Sequence, residues 1–184
     1  MSHSPSHPHR RFFLRRVAQA AALAGVGARS ALAAQPDARR LAFDHTHTGE
    51  RLDIVYALGE RYLPDALTTL NRFLRDHYTG QVGLIDPQLF DLLHRLTVEL
   101  GSREPFQVIS GYRCPATNAT LKATRGGGVA SHSLHMDGKA IALRLPSVPL
   151  AHLRDAALGL RAGGVGFYQR EQFVHVDTGR VRHW

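Results

Sequence analysis

The 184-residue chain has a single cysteine, Cys114, which excludes an intramolecular disulfide framework. It has two lysines, Lys122 and Lys139, and its arginines are scattered. A nucleic-acid groove would cluster Lys and Arg on one element with aromatics between them, so no nucleic-acid partner is expected. Acid is missing from residues 1–33, where Arg10, Arg11, Arg15, Arg16 and Arg29 supply +5 of the formal net charge of +8. The remaining residues therefore carry only +3. Long apolar runs are also missing. The Ala-rich stretch from Val17 to Val26 is interrupted by Gly25, and no later segment approaches the roughly 18 residues of a membrane span. At 43% apolar and 21% charged residues, the composition is that of a globular domain, which excludes collagen, coiled coil and wholesale disorder. What the chain does have in number is histidine, twelve of them, and histidine is the commonest metal ligand.

The first 33 residues read as a targeting segment. His9-Arg10-Arg11-Phe12-Phe13-Leu14-Arg15 resembles the twin-arginine export signal. A mild apolar region follows, and Ala31-Leu32-Ala33 supplies the small-x-small pattern for signal peptidase. A basic tail that happens to contain Arg-Arg is the alternative; the correct order of the three regions favours export. The expected organisation is a twin-arginine signal peptide over 1–33, a short flexible lead-in over 34–40, and one domain over 41–184. The twin-arginine machinery becomes a partner, and the mature protein is expected in the periplasm.

In the mature chain, residues 41–47 and 51–57 alternate around Thr48-Gly49-Glu50, which predicts a β-hairpin. Leu67, Leu70 and Leu74 mark a helix opened by Pro64-Asp65 and expected to run to near Gly80. Asp86 is placed to cap a second helix with Pro87 in its first turn and a stripe of Leu89, Leu93, Leu96 and Leu100. Phe106 to Ile109 reads as a strand, Thr117 to Thr124 as a short helix, and Gly126-Gly127-Gly128 as a flexible turn. Lys139 to Leu145 reads as a strand, and Leu150, Leu153, Ala157 and Leu160 mark a helix ended by Gly163-Gly164. Two strands, Val165 to Tyr168 and Gln172 to Val176, follow. Helices first and short strands late predict an α+β domain: a small, largely antiparallel sheet with helices on one side. His77, His94 and His152 are expected on helix surfaces.

Two segments carry candidate chemistry. In Phe173-Val174-His175-Val176-Asp177-Thr178-Gly179, period two puts His175 and Asp177 on one strand face and the valines on the other. In Ser131-His132-Ser133-Leu134-His135-Met136-Asp137-Gly138, His135 precedes a glycine turn that leads into a strand. A lone strand histidine, or a histidine in a Ser/His-rich loop, is more often a solvated or hydrogen-bonded residue than a ligand. Spacing alone does not separate these readings. Cys114 lies between Arg113 and Pro115 without the partners of a cysteine nucleophile, and reads as a packed residue.

Ser110-Gly111-Tyr112-Arg113, Thr117-Asn118, Ser133-Leu134-His135 with Gly138-Lys139-Ala140, and the closing run from Gly163 to Trp184 together resemble the murein endopeptidase K family. So does His47-Thr48-Gly49-Glu50. The resemblance spans about residues 41–184 and implies a zinc peptidase fold shared with D-alanyl-D-alanine peptidases and the hedgehog amino-terminal domain. It implies one zinc ion and cleavage of peptide cross-links in peptidoglycan. The family's metal is held by the histidine and aspartate of Ser-x-His-x-x-Gly-x-Ala-x-Asp and by a later histidine. Here those positions are His135, Ala142 and His175. Alanine has no donor atom, and a catalytic zinc ordinarily has three protein ligands plus water.

Asp177, His132 and Asp137 are the candidates to compensate for Ala142. Asp177 shares a strand face with His175, and reads either as general base or as a group that orients a histidine. The wider group places a carboxylate three residues before the last histidine ligand, but this chain has Gln172 there. Arg113 reads as a grip for a substrate carboxylate or as an anchor of its own turn. Ser133 reads as a substrate-side residue that holds the loop rather than as a nucleophile. Two functions follow: a zinc-dependent murein endopeptidase, or a peptidoglycan-binding or regulatory domain that kept the fold without the metal.

Overall fold

A computed structural model describes residues 37–124 and 129–184. The predicted leader and the turn at Gly126–Gly128 lie outside the described residues. The element order is β1 (Ala38–His45), β2 (Arg51–Leu58), β3 (Arg61–Tyr62), α1 (Pro64–Phe73), α2 (Pro87–Glu99), β4 (Phe106–Ser110), α3 (Pro115–Thr124), β5 (Ala140–Arg144), α4 (Leu150–Leu160), β6 (Gly164–Tyr168), β7 (Phe173–Asp177) and β8 (Arg182–His183). The fold is α+β, as expected. Among the described residues the strands form one sheet of eight, in the order β3-β2-β1-β4-β5-β7-β6-β8. It is larger than the small sheet expected, because β1 begins at Ala38, inside the expected lead-in, and two-residue strands extend both edges. Most pairs are antiparallel, but β1/β4 and β6/β8 are parallel.

The helices form where the apolar spacing placed them, with two boundaries moved. Asp86 caps α2 by accepting a hydrogen bond from the Gln88 amide. α1 stops at Phe73 rather than near Gly80, because Asp76 turns the chain by accepting from the amides of Tyr78 and Thr79. α4 is closed by Arg161 in the left-handed conformation, before Gly163-Gly164 is reached. Leu70, Leu89, Phe90, Leu93, Leu96, Leu153 and Ala157 from α1, α2 and α4 share one core with Phe43, Phe106, Val108, Ile141, Leu143, Val174 and Val176 from the strands. Those strand residues alternate with the others on their strands, so the three helices cover one sheet face. The other face of β5 and β7 is left for a site.

The surface reading of the histidines holds for His152 and is corrected for two others. His77 lies beyond α1 rather than on a helix, half-buried and stacked on His47 at 4.1 Å. His94 is half-buried edge-on to Tyr56. Cys114 is buried beside Thr117, as a packed residue.

Candidate active-site cleft

β5 and β7 pair in the register Ala140↔Asp177 and Ala142↔His175. Period two therefore puts these four residues on the face away from the helices, while Ile141, Leu143, Val174 and Val176 enter the core. β4 contributes through an irregularity. Phe106 and Val108 belong to the core, but the register shifts between Val108 and Ser110, which brings Ser110 opposite Ala142. A bulge of this kind re-aims a side chain at the cost of one ladder bond. Ser110 Oγ then accepts from Arg113 Nε at 3.1 Å, holding the guanidinium over the same face.

His135 comes from the loop before β5. Its amide donates to Ser133 Oγ at 3.4 Å, and its carbonyl accepts from the Arg113 amide at 3.2 Å. The ring is 2% exposed, and Nδ1 lies 2.7 Å from the Gly111 carbonyl. A carbonyl only accepts, so Nδ1 carries the proton and Nε2 presents a lone pair. Burial, reinforced by Arg113 and His175, holds this imidazole well below its ordinary titration range. His135 is therefore neutral at physiological pH.

His175 faces it, with ring centroids 5.1 Å apart and planes at 70°. Its Nε2 lies 2.9 Å from Asp177 Oδ2. Asp177 is fully buried and also accepts from the amides of Gly164 and Gly179 and from both Nη atoms of Arg182. Despite the burial, those donors and His175 hold its carboxyl below the usual carboxylate range. Five hydrogen bonds fill the roughly four lone-pair sites of a carboxylate. This geometry is that of a group orienting His175, the second of the two roles open for Asp177, and not of a base exposed to water.

The two imidazoles lie at the floor of a cleft of about 340 Å³. Arg113, Ser133 and Leu134 line one part, and Tyr168, Phe173, Arg182 and Trp184 another. Trp184 is the feature that sequence reading missed as a site residue. Its indole is half exposed, packs 5.2 Å from the His175 ring, lies 4.9 Å from the Arg182 guanidinium and donates from Nε1 to the Tyr168 hydroxyl. Gly166 lets it approach, since a Cβ there would meet the indole at 2.7 Å. The closing motif was visible in the sequence, but nothing local told that its last residue folds back over β6 and β7.

The residues expected to converge do so: His135, His175, Arg113 and Ser133 all border this cleft, with Asp177 beneath His175. Of the other candidates, His132 borders the cleft but pairs with Asp137 at 3.1 Å, with its side chain largely exposed. Gln172 sits in the β6–β7 turn and donates to the Gln169 carbonyl.

The profile of the peptidoglycan L,D-endopeptidase MepK family matches residues 33–184. The chain belongs to this family. It is 46% identical over 149 residues to the peptidoglycan L,D-endopeptidase MepK of Escherichia coli K12, a span covering 81% of each chain. It is 41% identical over 155 residues to the probable peptidoglycan L,D-endopeptidase MepK of Haemophilus influenzae, covering 84% of this chain and 83% of the relative. No solved structure matches the chain.

Zinc, which the resemblance to the MepK family implies, is met by part of the site. Each imidazole has one nitrogen held by a protein acceptor and the other left with a lone pair, the arrangement usual for metal-ligating histidines. The third position is Ala142, a methyl group directly across from His175. Among the described residues no group of three His, Cys, Asp or Glu side chains is placed to hold a metal ion. The donor set does not fit a catalytic zinc of three protein ligands.

Proposed function

We propose that this chain is an exported peptidoglycan-directed protein that takes peptide cross-links of the cell wall into the His135–His175 cleft. The observation that carries the reading is the convergence of two oriented imidazoles, an arginine and an aromatic wall at one cleft, in a chain that shares 46% identity with a peptidoglycan L,D-endopeptidase. Each part has a task in holding a stem peptide. Arg113, steadied by Ser110, pairs with a carboxylate of the anionic stem. Trp184 and Phe173 pack against the apolar parts of the peptide and exclude water. His135 Nε2 and His175 Nδ1 accept hydrogen bonds from peptide N–H groups. Ser133 keeps the His135 loop in place through the backbone.

Cross-link hydrolysis is the second reading, favoured by the family. Binding without turnover is the reading the site favours, because Ala142 faces His175 where the family has a carboxylate. The test is to incubate the protein with cross-linked muropeptides, measuring binding by calorimetry and cleavage by chromatography. Saturable binding is expected, with Arg113→Ala weakening it about 10–100-fold, the worth of a charge-assisted hydrogen bond. Absence of any binding overturns the proposal; rapid cleavage replaces it with the second reading.

Export by the twin-arginine route, with cleavage near Ala33 and residence in the periplasm, completes the proposal. An Arg10→Lys/Arg11→Lys double variant is expected to accumulate inside the cell with its leader uncleaved, as immunoblots of periplasmic and cytoplasmic fractions would show. Normal periplasmic levels of the variant would argue for another route. No helix among the described residues is long and apolar enough to cross a membrane.

A further inference from the structure

We infer that this chain has lost the zinc of its family while keeping the two-histidine half of the site folded for it. Among the described residues, the candidates to replace the missing ligand each have other partners. Asp177, on the same face as His175, is buried beneath it and has both oxygens occupied by Arg182, two backbone amides and His175 Nε2. Releasing one of those oxygens to a metal would leave buried donors unpaired, at a cost of about 1–3 kcal/mol for each. Asp137 and His132 bind each other at the exposed end of the loop. Cys114, the lone thiol, accepts a hydrogen bond from the Thr117 amide and donates to the Thr117 hydroxyl, away from the cleft lining.

The same register shows why the loss is local. Ala142 lies between Ser110 on β4 and His175 on β7. It is 1% exposed, so the alanine is packed into the floor and leaves the strands on either side paired. The hydrogen bonds from His135 Nδ1 to Gly111 and from His175 Nε2 to Asp177 involve neither Ala142 nor a metal. A carboxylate or thiolate restored at 142 would therefore meet two imidazoles already turned toward the cleft. The inference concerns the same cleft as the peptidoglycan proposal but stands without it: metal content tests the one, and muropeptide binding the other.

The experiment loads the purified protein with zinc, dialyses it against metal-free buffer, and measures retained metal by mass spectrometry and affinity by chelator competition. Cobalt substitution adds an absorption spectrum that reads ligand type without any activity. Ala142→Asp is measured beside the parent, with Ala142→Cys as a smaller ligand in case the buried aspartate prevents folding. The parent is expected to lose its zinc on dialysis. At least one folded variant is expected to retain one ion per chain, at least about 100-fold tighter, beyond the 10–100-fold usual for losing a supporting partner of a ligand. Cobalt should give a thiolate charge-transfer band only in the cysteine variant. A parent that keeps one zinc per chain overturns the inference. So do folded variants that both lose zinc, since the two histidines would then not be a metal half-site at all.

Discussion

Asp177→Ala is expected to lower the melting temperature of the protein by about 6–12 °C, the shift that roughly 3 kcal/mol produces in a domain of this size. Asp177 is fully buried and accepts five hydrogen bonds from residues drawn together from positions 164, 175, 179 and 182. Removing it strands two backbone amides and leaves the Arg182 guanidinium without its anion. Breaking a buried charge pair from one side costs about 3–5 kcal/mol, and the partial exposure of Arg182 puts the expected loss at the lower end. His175 loses the acceptor that sets its tautomer, and the Arg182–Trp184 wall loses its anchor. The ring proton of His175 should accordingly disappear from the slowly exchanging signals in an imidazole NMR spectrum. Asp177→Asn separates charge from shape: it keeps the volume but turns a donor toward Arg182, the amides or His175. It should recover little of the stability. A melting temperature within about 2 °C of the parent for Asp177→Ala would show that the network contributes less than 1 kcal/mol and that Asp177 is not what holds the cleft floor together.

Gly138→Ala is expected to be comparably damaging, for a steric reason. Gly138 has φ of 66°, and a Cβ there would stand 1.8 Å from the Leu84 carbonyl oxygen and 2.8 Å from its carbon. That carbonyl belongs to backbone fixed on both sides, because Ile85 N donates to Asn71 and Asp86 N donates to the Gly138 carbonyl itself. Left-handed backbone costs alanine about 1–2 kcal/mol, and forced overpacking adds about 1–3. A loss of about 2–5 kcal/mol follows from the two together. The displacement would also reach the site, since Gly138 N and Lys139 N close the turn that carries His135 onto the carbonyls of His135 and Leu134. Denaturant titration should show the stability loss, and muropeptide binding should fall with it. An alanine variant within 1 kcal/mol of the parent would mean that the 84–86 backbone yields freely, and that this contact does not position the His135 loop.

Much of the cleft was legible in the sequence, and the parts that were not have a common cause. The alternation in Phe173–Asp177 placed His175 and Asp177 on one face and the valines in the core, and the register with β5 agrees. Asp86 was readable as a helix cap because the cap and the amide it binds are two residues apart. The end of α1 was not readable: the Leu spacing continues to Leu74, but the turn that stops the helix depends on Asp76, a polar residue inside an expected helix. The αL closure of α4 by Arg161 was equally hidden, since two glycines follow and draw attention to themselves. Arg182 and Trp184 were visible as letters of a motif, but their contacts with Asp177 and His175 depend on β8 lying parallel to β6.

Hydrophobic period and turn chemistry are local, so the chain's order of residues was enough to determine its helices, its buried strands, its α+β class and the absence of a carboxylate at position 142. Which strands become neighbours is decided by burial summed over the whole core. Only the tertiary structure therefore set His135 against His175, turned Ser110 toward Ala142 through a bulge, and brought the last residue of the chain to the wall of the cleft. The same holds for Asp177: its charge is written in the sequence, but its role comes from five donors that meet only when the sheet closes around them.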